Sequence, residues 1–72
     1  MKRDYEDITA EEVDRAISSY IIGRNAARNR AIMHTILIDG ITYEKTAEMY
    51  DLSPRQIANI VRKCEYIIIK HL

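Results

Sequence analysis

Apolar positions recur every three or four residues along most of the chain, the period of helices with one buried face. Val13, Ala16, Ile17, Tyr20 and Ile21 form the first such stripe. Ahead of it, Thr9 and Glu12 have the spacing of a capping box, and Ile8 is placed to staple against Val13. Gly23 ends this segment. A second pattern begins near Asn25 and runs through Ala31, Ile32, Ile36 and Leu37 to Asp39, with Gly40 as its stop. A short third helix follows Thr42, a natural N-cap, with Glu44 in the first turn where the helix dipole favours an acid. Tyr43, Ala47 and Tyr50 share one of its faces, and Asp51-Leu52 reads as a tight turn holding one buried anchor. The last helix is the most firmly signposted. Ser53 as N-cap, Pro54 at the first helical position and Gln56 closing a capping box mark one start. Ile57, Ile60, Val61, Cys64 and Ile68 then form its buried stripe, while Arg55, Asn59, Arg62 and Lys63 project elsewhere. Residues 66–69 have β propensity, but they continue an unbroken helical pattern and no second strand exists to pair with them.

These patterns predict an all-α fold: a compact domain of three or four helices with a C-terminal helix-turn-helix and a long last helix. Residues 1–72 are expected to form a single domain, with residues 1–8 as a flexible arm and residues 41–65 as the helix-turn-helix. The chain has 72 residues, and a domain this small buries only about 60% of the surface its unfolded chain exposes. With 31% charged residues it reads as globular and not as a disordered tail. Its apolar runs fall far short of the ~18 residues a membrane span needs, and the acidic N-terminal stretch does not read as a signal peptide. A cytoplasmic protein with no membrane partner is expected. Cys64 is the single cysteine, and His34 and His71 lie far apart, so neither an internal disulfide nor a zinc spacing is present. No nucleophile–base pair, paired carboxylates or metal set is legible, so neither an enzyme nor a cofactor is expected.

The formal net charge is zero, an awkward balance for a polyanion binder. Its distribution changes the picture. Residues 1–14 carry Lys2 and Arg3 against six acids, a net of −4, and residues 41–52 carry Lys45 against Glu44, Glu48 and Asp51, a net of −2. Residues 15–40 carry four arginines against Asp39, a net of +3. Residues 53–72 carry Arg55, Arg62, Lys63 and Lys70 against Glu65, again +3. The neutral total therefore hides two basic segments, one of them the last helix.

Two short helices joined by a tight turn, the second with an exposed polar face, describe a helix-turn-helix. A B-form major groove admits one helix, whose N-terminal residues reach the base edges. Arg55, two residues past the cap, suits a bidentate contact to guanine, and Asn59, one turn on, suits adenine, as does Gln56. Ser53, Thr42, Tyr43, Arg62 and Lys63 suit phosphate contacts, which position the protein without reading sequence. Double-stranded DNA is the expected partner.

The stretch Asn29-Arg30-Ala31-Ile32 through Asp39-Gly40-Ile41-Thr42-Tyr43-Glu44-Lys45-Thr46-Ala47-Glu48 resembles the fourth conserved region of bacterial sigma factors. Its continuation, Leu52-Ser53-Pro54-Arg55-Gln56-Ile57-Ala58-Asn59-Ile60, looks like that region's recognition helix. The resemblance covers roughly residues 26–65. It implies a module that reads an upstream promoter element and leans on the flap of the RNA polymerase β subunit. Ser53, Arg55, Gln56 and Asn59 would be its readers, with Thr42 and Tyr43 on the supporting helix. Ala58 stands where many relatives carry a further basic residue. Nothing here resembles the sigma region that melts DNA, so the expectation is a stand-alone transcription regulator, of the kind common in bacteriophages and mobile elements.

Other residues read more plainly. Arg24, Arg28 and Arg30 suit a solvated face, Tyr43 and Tyr50 the core or its boundary, and Cys64 a small core hydrophobe. His34 is assigned no role. Ile67, Ile69 and Leu72 exceed what one stripe needs, and are the candidate surface for a homodimer on a palindromic site or for another protein. A competing reading keeps the cassette as a scaffold that docks on RNA polymerase or a sigma factor to redirect it. The zero net charge and the acidic first segment favour that alternative.

Overall fold

Thr9, Asn25, Thr42 and Ser53 stand immediately ahead of four α-helices: α1 (Ala10–Tyr20), α2 (Ala26–Leu37), α3 (Tyr43–Tyr50) and α4 (Pro54–Ile69). This is a computed structural model, and it describes residues 7–72. The arm expected over residues 1–8 thus lies mostly outside the described residues, and Ile8, within them, is half-buried. Three of the four starts are closed by side chains, as the sequence predicts. The Glu12 N–H donates to Thr9 Oγ1 at 3.2 Å, and the Lys45 N–H to Thr42 Oγ1 at 3.1 Å. At Ser53 both halves of the capping box form: the Gln56 N–H donates to Ser53 Oγ at 3.1 Å and the Ser53 N–H to Gln56 Oε1 at 2.9 Å.

Asn25 differs. It has φ +66° and makes no side-chain cap bond, so α2 starts from a sharp turn and not from a conventional cap. Asparagine is among the few non-glycine residues enriched in that left-handed region. At the other end, Gly40 also has positive φ, and the Asp39 and Ile41 N–H groups reach back to the His34 and Thr35 carbonyls, each at 3.1 Å. These bonds satisfy carbonyls of the last turn, so α2 ends at Leu37, two residues before the predicted Asp39.

α4 packs against all three other helices, α2 lies against α1 and α3 as well, and among the described residues α1 and α3 do not touch. The core follows from that arrangement: Ala16, Ile17 and Ile21 from the first segment, Ile32 and Met33, Ala47, and the α4 stripe of Ile57, Val61, Cys64 and Ile68. Ile60, predicted for that stripe, sits half-buried at its edge. On α2 the prediction was less close: Met33 is fully buried, whereas Leu37 is 40% exposed. A helix flanked by three neighbours buries more than one side, and unbranched methionine fills the irregular space between them.

Polar groups also fasten the helices. Tyr50 bridges α3 to α2, its hydroxyl 3.2 Å from Thr35 Oγ1, while the Thr35 hydroxyl donates to the Ala31 carbonyl at 2.8 Å. Thr46 is completely buried and donates to the Thr42 carbonyl at 2.7 Å, so α3 turns Thr46 and Ala47 inward and leaves Tyr43 exposed. A buried hydroxyl is tolerable because the helix itself supplies its acceptor. Arg30, predicted as part of a solvated face, donates from Nε to the Ile21 carbonyl at 2.8 Å. It thereby satisfies an orphan acceptor at the C-terminal end of α1, which has no basic residue of its own there. His34 lies between two acids, 3.4 Å from Asp39 and 3.9 Å from Asp14. Beyond α4, the His71 ring stacks on Tyr20, centroids 3.6 Å apart, and Leu72 packs against the core.

Among the described residues no helix is long and apolar enough to cross a membrane. Burial pushes the Cys64 thiol above its ordinary pKa, against the opposing pull of the Lys63 ammonium. The thiolate is the reactive form, so native protein at pH 8 should react with iodoacetamide far more slowly than protein unfolded in urea. Ile57→Ala should lower the unfolding free energy by about 2–5 kcal/mol, because it empties a fully buried site. Ile69, 48% exposed, should tolerate the same change at a cost below about 1 kcal/mol. Urea titrations of the two variants beside wild type check both.

Candidate nucleic-acid interface

Only Asp51, Leu52 and Ser53 separate α3 from α4. Asp51 takes φ +56°, ψ +45°, and its N–H points at the Ala47 and Glu48 carbonyls. The Leu52 N–H bonds the Ala47 carbonyl at 2.9 Å, and its half-buried side chain packs on the core. Every backbone donor of the turn is therefore engaged, since the Ser53 N–H is held by Gln56. A turn pinned at each residue holds the direction of α4 relative to α3.

All eight residues singled out for DNA contact are exposed: Thr42, Tyr43, Ser53, Arg55, Gln56, Asn59, Arg62 and Lys63. Arg55, Asn59, Arg62 and Lys63 follow one another at four-, three- and one-residue steps. At about 100° per residue this places them on the side of α4 opposite Ile57, Val61, Cys64 and Ile68. Among the described residues no carboxylate forms an ion pair with Arg55, Arg62 or Lys63, whereas Lys45 on α3 is 3.6 Å from Glu48. Arg62 approaches Asn59 Oδ1 at 3.4 Å, a long contact that leaves both groups able to turn outward.

Gln56 is placed differently from the other candidates. Its amide oxygen accepts the Ser53 N–H, which ties the side chain to the helix start while one oxygen lone pair and the NH2 have no partner among the described residues. It thereby holds the start of α4, whereas the side chains of Arg55 and Asn59 make no bond to the backbone of the helix start. The Ser53 and Thr42 oxygens accept backbone N–H groups, and each hydroxyl hydrogen stays available to an outside acceptor.

Two residues of this face escaped the sequence reading, Tyr66 and Lys70. Each lies seven positions beyond a member of the basic stripe, Asn59 and Lys63 respectively, and that repeat was the signal. Tyr66 is 66% exposed, and Lys70 Nζ sits 4.7 Å from its ring centroid. Ile67, Ile69 and Leu72 do not gather into one patch. Ile67 is half-buried, Leu72 lies against the core, and Ile69 is exposed. Residues two apart on a helix point about 200° apart, so Ile67 and Ile69 take opposite flanks of α4.

The chain matches no family model, no curated protein and no solved structure. Ser53→Ala should cost about 0.5–2 kcal/mol, because it removes the acceptor for the Gln56 N–H and opens the capping box. Hydrogen exchange should then quicken first at the amides of the opening turn of α4, and uniform exchange along the chain would contradict this local effect.

Proposed function

We propose that this chain is a sequence-specific double-stranded DNA-binding regulator of transcription, acting in a cytoplasm through the face of α4 that begins at Ser53. The observation that carries the reading is the row of Arg55, Asn59, Arg62 and Lys63, without ion-pair partners among the described residues and turned away from the core on a helix braced by a three-residue turn. A bare cationic row facing water gains nothing inside the fold and is ready for an anionic partner. Its mixture of groups narrows that partner. Arg55 offers the planar fork that fits the O6 and N7 of guanine, and Asn59, one turn further, offers the donor and acceptor that fit adenine. Arg62 and Lys63 carry charge without a reading role and suit the phosphates alongside. Thr42 and Tyr43 open α3, where hydroxyls and the first free amides suit a neighbouring phosphate. The resemblance of residues 26–65 to the fourth region of sigma factors supports the same assignment.

A labelled-duplex titration across a salt series tests it. The logarithm of affinity should fall steeply with the logarithm of salt, by about 0.9 per phosphate neutralised. Arg55→Ala should reduce discrimination at one base pair by about 1–3 kcal/mol, read as a relaxed consensus after selection from a random-sequence pool. Lys63→Ala should weaken all duplexes alike. Negligible effects from both substitutions, together with capture of RNA polymerase that survives Arg55→Ala, would replace this reading by that of a polymerase adaptor.

A further inference from the structure

α4 is longer than a groove-reading helix needs to be. Arg55 and Lys70 are fifteen positions apart, and a rise of 1.5 Å per residue separates them by about 22 Å along the axis. Tyr66 lies about 16 Å from Arg55 by the same measure. The major groove of B-DNA is about 12 Å wide and curves around the duplex. A straight rod whose first turns meet base edges therefore leaves the groove before its last turns, and passes over a phosphate ridge as it does so.

We propose that Tyr66 and Lys70 form a second backbone contact at that ridge, gripping a phosphate beyond the bases that the start of α4 reads. The inference rests on the DNA-binding reading above and assigns it a further site. Three observations meet here. Tyr66 and Lys70 share the face of Arg55, Asn59 and Arg62, opposite the buried stripe. Tyr66 is the most exposed aromatic side chain described, and its ring contacts the Lys70 ammonium at 4.7 Å. The single acid of α4, Glu65, lies on the flank it shares with Ala58 and Ile69, and among the described residues Lys70 forms no ion pair. The ring holds the ammonium beside the phenol, so one phosphate can accept from the tyrosine hydroxyl and from the lysine together. The end of the helix is itself anchored, through the His71–Tyr20 stack, so the pair is held at a set distance from Arg55.

The test uses the full chain, fluorescence anisotropy and two probes: a duplex enriched from a random pool by wild type, and poly(dI-dC). Lys70→Gln should lower the magnitude of the salt slope by about 0.9 and weaken both probes by a similar factor, about threefold to tenfold at low salt. Tyr66→Ala should weaken both probes as well, and the double variant should lose less than the product of the two, because the ring places the ammonium. Both side chains are exposed, so circular dichroism should stay unchanged. If wild type binds with a steep salt slope while both variants keep its affinity and slope, the second contact is wrong and the groove-reading assignment stands. A changed consensus with Lys70→Gln would equally overturn the backbone assignment. If wild type shows no salt-dependent binding to either probe, the DNA reading itself falls and this contact with it.

Discussion

Burial of one stripe of α4, formed by Ile57, Val61, Cys64 and Ile68, governs the rest of the molecule. α4 packs against α1, α2 and α3, so an element that touches every other is also the one that carries the basic face. Helical periodicity makes the two facts inseparable. With one stripe against the core, Arg55, Asn59, Arg62, Tyr66 and Lys70 must face outward. Each large residue of that stripe contributes roughly 1.5–3 kcal/mol by leaving water. No surface interaction of the basic face approaches that sum, and the core therefore decides which way the face points.

A chain of 72 residues has little burial to spare, and polar contacts join its helices as well. Tyr50 ties α3, the shortest helix, to α2 through Thr35. Arg30 closes the open end of α1, and the stack of His71 on Tyr20 fastens the end of the chain back onto α1. Three side-chain caps at about 1 kcal/mol each are a sizeable fraction of the 5–15 kcal/mol typical of a folded domain. The capping box at Ser53 has a second consequence. It engages the amide oxygen of Gln56, so a residue suited by type to reading adenine also holds the helix start.

What could be read along the chain was whatever depends on near neighbours. Ser53, Pro54 and Gln56 located the start of α4 correctly because cap chemistry is settled within four residues. Gly40 located the end of α2 to within two residues for the same reason. The misses share a different origin. Thr46 in place of Tyr43 on the inner face of α3, and Met33 beside Ile32, follow from how many helices surround each element, which spacing does not report. The sequence assigns Gln56 both to the capping box and to base reading, and the structure shows the capping-box bond formed. Tyr66 was hidden inside an apolar run, although its seven-residue step from Asn59 placed it on the polar face. Of the candidate site, the spacing of exposed residues was legible; which of their donors and acceptors stay free was not.

The zero net charge, at first an argument against a polyanion partner, loses force once distance is considered. At physiological ionic strength the screening length is about 8 Å, shorter than the core that separates one face of this molecule from another. A phosphate approaching α4 responds to Arg55, Arg62, Lys63 and Lys70, and hardly at all to acids on surfaces beyond that length. The acids then act on a different quantity. At low ionic strength, where the screening length grows to about 30 Å, they weaken long-range attraction to any polyanion. On the proposed DNA-binding reading, a protein of this charge pattern should owe more of its binding to the fit of α4 and less to indiscriminate attraction than a uniformly basic domain of equal size.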